Sequence, residues 1–159
     1  MIGVLLSLML GGGLQRYLPC TPGLTVTYAD AAGRAVEEEV LGFGVAVEPR
    51  VCAVERRLGA ARERLGREYL SDRISDAGWL DTPLALRAPI LKAPLTIGAR
   101  WHWNREDHQV IAIGRVVEVP AGRFVDTVWI TSRSSDGQRE ATAVYVAGVG
   151  LVQIGRAHV

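Results

Sequence analysis

Two histidines, His102 and His108, bracket Glu106 and Asp107 in the segment WHWNREDH, and these residue types can hold zinc. A zinc site needs three or four such ligands converging on one point. The segment reads as strand, turn and strand, so His102, between Trp101 and Trp103, faces away from both. It is a polar hairpin tip on this reading, and no metal is expected. Nucleophilic catalysis needs a base beside Ser, Thr or Cys and a group to orient it. Ser71, Ser132, Ser134 and Ser135 fall in turn or strand-edge contexts without a nucleophile elbow, and Cys20 and Cys52 lack a motif. Asp72, Asp76 and Asp81 could supply paired carboxylates, which glycoside hydrolysis sets about 5–9.5 Å apart. They suit turns equally well. Gly11–Gly13 is no phosphate loop, because no helix with Lys-Ser/Thr follows it. The expectation is a non-enzymatic protein with no cofactor.

The aromatic residues are more informative. Trp101 and Trp103, two apart on a strand, share a face. Trp129, Tyr28 and Tyr145 lie on other expected strands. One reading packs all five into a sheet core. The other makes them the candidate ligand-binding set, a concave apolar surface for a lipid, a glycan or a partner peptide.

The elements that would position these residues are strands. LTVTYAD alternates Leu24, Val26 and Tyr28 against Thr25 and Thr27. AVEEEVLGFGVAV follows a turn at Gly33 and ends at Pro49, with Gly42 and Gly44 allowing a bulge. VCAVER, RWHWN, HQVIAIGRVVEV, FVDTVWITSR, REATAVYVAG and VGLVQ complete the series. Pro120–Gly122 predicts a three-residue hairpin loop, and Asp136-Gly137 predicts a type I′ turn. One stretch conflicts. Val54, Leu58, Ala61, Leu65 and Tyr69 recur at helical spacing, yet Gly59 and Gly66 each cost a helix about 1 kcal/mol. The pattern by itself slightly favours the helix; the competing reading is a hairpin with a loop near Gly59. Pro83, Pro89 and Pro94 impose an extended crossing segment.

A chain of 159 residues with 48% hydrophobic content supports one domain with a real core. The net charge of +1 gives no pull toward nucleic acid or anionic membranes. All but one of the 18 basic residues are Arg, the exception being Lys92, a bias expected of a GC-rich genome. The arginines are scattered among acids rather than gathered into a phosphate-binding face. The apolar run Ile2–Leu10 is too short for a transmembrane span, which needs about 20 residues. It matches the apolar centre of a secretory signal. Residues 1–16 are therefore read as the remnant of an export signal and 17–153 as one β domain. Ile154–Val159, IGRAHV, spells a common DNA-sequencing adapter in translation and is read as read-through. Cys20 and Cys52 suit a single disulfide in an exported protein, or two buried thiols.

In order along the chain, YLPCTPGLTVTY, EYLSDRISDAGW, APLTIGARWHW, VVEVPAGRFVDTVWI and YVAGVGLVQI carry a resemblance. The chain resembles a group of exported bacterial β proteins, many of them lipoproteins, of unassigned function. The likeness spans about Tyr17 to Ile154, and its sharpest parts are the Val-Pro-Ala-Gly-x-Phe turn and the Gly-Val-Gly-Leu-Val finish. This chain departs in having Cys20, in having Thr25 where a bulky residue is common, and in lacking a lipid-attachment motif. The resemblance implies an all-β fold, a single strongly curved antiparallel sheet or incomplete β-barrel built as a meander of hairpins. It therefore implies the hairpin around Gly59, with Arg67–Ile74 extended and paired. It transfers no catalytic residue. The expected role is that of a cell-envelope or secreted protein that binds an apolar or amphiphilic ligand or an envelope partner. The alternative is a purely structural accessory domain of a larger assembly.

Overall fold

The computed structural model describes residues 13–30, 32–44, 50–76 and 88–156. The run Ile2–Leu10, Asp81, Pro83, and residues 157–159 of the tail lie outside them. Apart from one 3-10 turn at Leu14–Arg16, the described elements are strands, and every pairing is antiparallel. Strands β1 (Thr25–Ala29), β2 (Ala35–Phe43), β3 (Arg50–Leu58), β4 (Ala61–Tyr69), β5 (Arg73–Asp76) and β6 (Ala88–Lys92) form a meander in sequence order. It curls strongly into a half-barrel. Strands β7 (Arg100–Trp103), β8 (Glu106–Ile113), β11 (Thr127–Ser134), β12 (Glu140–Val146) and β13 (Gly150–Arg156) form a second sheet, ordered β13-β12-β11-β8-β7. A short ribbon, β9 (Val117–Val119) with β10 (Gly122–Phe124), joins neither ladder and packs Val117 against Val144 and Val146 of β12.

The two larger sheets are walls of one interior. Val40, Val54, Tyr69, Ile74 and Leu91 of the half-barrel share a buried cluster with Trp101, Val110, Val128, Ile130 and Tyr145 of the second sheet. Burying each such aliphatic side chain contributes about 1.5–3 kcal/mol. At the seams β6 lies beside β7 and β1 beside β13, but no ladder joins either pair. The barrel is therefore incomplete, as the curved-sheet expectation has it, with its strands divided between two sheets.

The hairpin reading of residues 54–69 holds. Leu58 pairs with Ala61 around Gly59, whose φ of +59° suits glycine, and the ladder runs back to Arg50–Tyr69. Arg67–Asp76, Glu68–Ser75 and Tyr69–Ile74 then pair β4 with β5.

Two turn expectations need correction. Asp136-Gly137 is not a type I′ turn, since only Gly137 of the pair has positive φ. The Asp136 carboxylate instead accepts from the Ser134 hydroxyl at 2.6 Å and the Gln138 amide at 2.9 Å, which supports a longer loop. Both central residues have positive φ at Asn104-Arg105, the two-residue link between Trp103 and Glu106. That is the backbone sign a type I′ hairpin requires. At the other site the connection is Pro120-Ala121, because Gly122 already pairs with Val119.

The hydrogen bonds to Asp136 hold its carboxyl below the ordinary carboxylate range, the Ser134 hydroxyl contributing most. A depressed pKa means stabilisation that is present above the ordinary value and lost as pH falls through the lowered one. Asp136→Asn should therefore remove part of the acid sensitivity of this hairpin, read from amide exchange at Gln138 and Arg139 between neutral and acid pH. Unchanged acid sensitivity would show that the carboxylate does not govern the turn.

The N-terminal segment closes one end of the interior. Leu14, Tyr17 and Leu18 are buried in the main core. The Tyr69 hydroxyl donates to the Leu18 carbonyl at 2.5 Å, and the Gly148 amide donates to the Arg16 carbonyl at 2.7 Å. Cys20 and Cys52 are joined in a disulfide, so of the two readings of the cysteines the bridge is the one that forms.

Candidate functional site

Two cavities flank the β1–β13 seam. The larger, of about 730 Å³, is a groove between β1, β13 and the Glu118–Ala121 turn. Its walls are mostly apolar: Val26, Tyr28, Val119, Pro120, Leu151 and Val152 among them. The second, of about 520 Å³, opens at the end of the half-barrel where Leu58 and Ala61 turn the chain. Leu18, Val36, Ile90, Tyr145, Leu151 and Ile154 give it an apolar wall, and Glu38, Arg56, Glu63 and Arg67 give it a charged one. The cavities share Tyr28, Leu151 and Ile154, so they adjoin. Both volumes lie within the range of small-molecule sites, about 300–1,000 Å³.

The charged wall follows from strand alternation. Val36, Glu38 and Val40 point the same way on β2, and all three are buried. Glu38 sits opposite Arg56 on β3, and Arg56 sits opposite Glu63 on β4. Arg67, two turns of the pleat along from Glu63, reaches Glu38 at 2.7 and 3.2 Å. The Tyr28 hydroxyl donates to the same carboxylate at 2.9 Å. Arg56 approaches it only to 3.5 Å, and its Nε, buried, has no acceptor. A buried carboxylate holding several donors is the arrangement that makes an interior charge tolerable.

Burial sets the titration of the tyrosines here. It raises Tyr28 well above the ordinary phenol value, with the Glu38 charge adding to the effect. It pushes Tyr69 and Tyr145 up to about 12 each. A raised phenol pKa contributes stability below the ordinary value near 10, and that stability is lost as pH rises toward 12. An absorbance titration should therefore show these three tyrosines ionising late, together with alkaline unfolding. Ionisation of all four tyrosines near the ordinary value, with the fold intact, would contradict the buried placement.

The candidate aromatic set divides. Tyr28 and Tyr145 meet at the second cavity. Trp101 is buried in the main core, stacked on His108 at 5.3 Å, with its indole N–H donating to the Pro89 carbonyl at 3.3 Å. Trp103 follows it on β7, half-buried, opposite Glu106. Trp129 packs with Val144 and Val146, a cluster separate from the one that holds Trp101, Val128 and Ile130. It lines a smaller hollow of about 230 Å³, with Arg115 over its ring at 5.0 Å. None of the three tryptophans lines either larger cavity. The sheet thus does not bring Trp129 round to extend a Trp101–Trp103 patch: on β11 it alternates against Val128 and Ile130, which face the main core.

His102 bonds Asp107 at 2.7 Å, and His108 bonds Ser132 at 2.7 Å. Among the described residues no group of three or more His, Cys, Asp or Glu is placed to hold a metal ion. The residues missed by sequence reasoning are Glu38, Arg56 and Arg67. Their signal was available in the even spacing of Val36-Glu38-Val40 and Val54-Arg56-Leu58, which puts charges on the apolar face. Comparison with protein-family models, curated proteins and solved structures finds no match to this chain.

Proposed function

We propose that this is a non-enzymatic, exported β protein of the cell envelope that binds an amphiphilic ligand at the β1–β13 seam. The observation that carries the reading is the mostly apolar groove of about 730 Å³ adjoining a half-polar cavity of about 520 Å³. A hydrocarbon chain suits the first and a polar head suits the second. Such a division of walls is typical of sites that hold small organic ligands, apolar for affinity and polar at few points for orientation. The disulfide supports an oxidising, extracytoplasmic setting. So does the resemblance to exported bacterial β proteins.

The test uses oleyl alcohol, a chain with an uncharged head, followed by displacement of an environment-sensitive fluorescent fatty-acid analogue. Ala121 is exposed in the turn that overhangs the groove. Ala121→Trp should fill the groove and weaken oleyl alcohol on the order of tenfold, the equivalent of about 1.4 kcal/mol. A wild-type protein that binds neither probe, or a variant that binds as the wild type does, would leave the accessory structural role as the better reading.

A further inference from the structure

We propose that the second cavity recognises the head of the amphiphile as a single negative charge, an oxyanion held by the Arg56 guanidinium with the Tyr145 hydroxyl as a further donor. This deepens the amphiphile reading above and rests on it. Glu38 is already satisfied by Arg67, at 2.7 Å, and by the Tyr28 hydroxyl, at 2.9 Å. Arg56 adds only a contact of 3.5 Å to it, leaving a buried Nε–H without an acceptor. Buried donors are nearly always paired, so a cation with a donor left over points to an acceptor supplied from outside the chain. Tyr145 lines the same cavity, and no hydrogen bond from its hydroxyl is seen among the described residues. Its raised pKa keeps it protonated, hence a donor.

The acids around the cavity set the charge it accepts. Asp30 is closed on Arg34 at 2.9 Å and on the amides of its own turn. Asp76 already has a partner. Glu63 is exposed at the rim, where water and salt screen it. Glu38, Asp76 and Glu63 all act on the Arg56 charge, and Glu38 is shared with Arg67, so Arg56 has room for one anionic charge at most and a second would meet carboxylates. A guanidinium hydrogen-bonded to an oxyanion is among the stronger polar contacts available in a partly buried site.

The experiment measures four probes with comparable chains on the intact protein at mildly alkaline pH: oleate, lysophosphatidylglycerol, oleyl alcohol and oleylamine. At least one of the two anions should bind about tenfold tighter than the alcohol. Whichever of them binds tighter identifies the head as carboxylate or phosphodiester. Arg56→Gln should erase that margin by weakening the anions more than the alcohol, with an unchanged far-UV circular dichroism spectrum showing that the variant is folded. Arg56→Lys should keep part of the margin. The proposal is overturned if the alcohol binds as tightly as both anions, if the amine binds tightest, or if the margin survives in Arg56→Gln. If none of the four binds, the amphiphile reading itself fails; if the alcohol binds and the anions gain nothing, only the head-group assignment fails.

Discussion

Glu38→Gln should destabilise the protein by about 3–5 kcal/mol, the cost of leaving a buried ionic partner uncompensated. Glu38 is 2% exposed and the Arg67 side chain 10% exposed, so neither is rescued by water in the native state. The amide would still accept one hydrogen bond, from Tyr28 or Arg67, but it would carry no charge to offset the guanidinium. Removing the ion pair as a unit is a different matter. Glu38→Leu with Arg67→Met exchanges charge for apolar volume, and such exchanges are neutral or stabilising in other buried pairs. Urea unfolding of Glu38→Leu, Arg67→Met and the double variant checks this. The single variants should lose stability and the double should recover most of it. Three variants that lose stability additively would show that the groups do not act as a pair.

Breaking the Cys20–Cys52 bridge should cost about 3–4 kcal/mol. The bond closes a loop with a sequence separation of 32, and the chain-entropy model gives that magnitude for such a loop. Against a total stability of about 5–15 kcal/mol this is a large fraction. Cys20→Ala is the cleaner variant, because Cys52 is fully buried and its truncation would also leave a cavity. The loss has a location. The bridge ties residues 14–24 to β3, and these residues supply Leu14, Tyr17 and Leu18 to the core. Trypsin should therefore cut after Arg16 faster in Cys20→Ala than in the oxidised wild type, where that residue also pairs with Asp126 at 2.5 Å. Equal denaturation midpoints and equal cleavage rates would show that the packing of the segment suffices without the bond.

The hardest local choice, residues 54–69, shows why periodicity alone misleads. Val54 and Leu58 are four apart, as are Ala61, Leu65 and Tyr69. A spacing of four satisfies a helix, and it also satisfies a strand, where every second residue shares a face. The step of three from Leu58 to Ala61 is the two-residue turn at Gly59-Ala60. The intervening positions on that face, Arg56, Glu63 and Arg67, are charged, so they look like the polar side of a helix. They are the charged wall of a cavity instead.

The strands and their antiparallel pairing were legible in the residues, because alternation acts over a few neighbours; the hairpin at Gly59 was not, since its apolar spacing of four fits a helix as well as a strand. The turn at Asp136-Gly137 was legible in place but not in type, since hydrogen bonds from the Ser134 hydroxyl and the Gln138 backbone amide to the Asp136 carboxylate support a longer loop. The meeting of Cys20 with Cys52, and of Tyr28 with Glu38 and Arg67, depends on how far the first six strands curl. So does the separation of Trp129 from Trp101, which lie in different apolar clusters. Curl accumulates from small twists along every strand, and no local pattern of side chains reports its sum. The sequence by itself therefore determined which residues alternate inward. Only the tertiary structure decided which inward residues meet, and that a carboxylate and two arginines, not the tryptophans, line the cavity at the mouth.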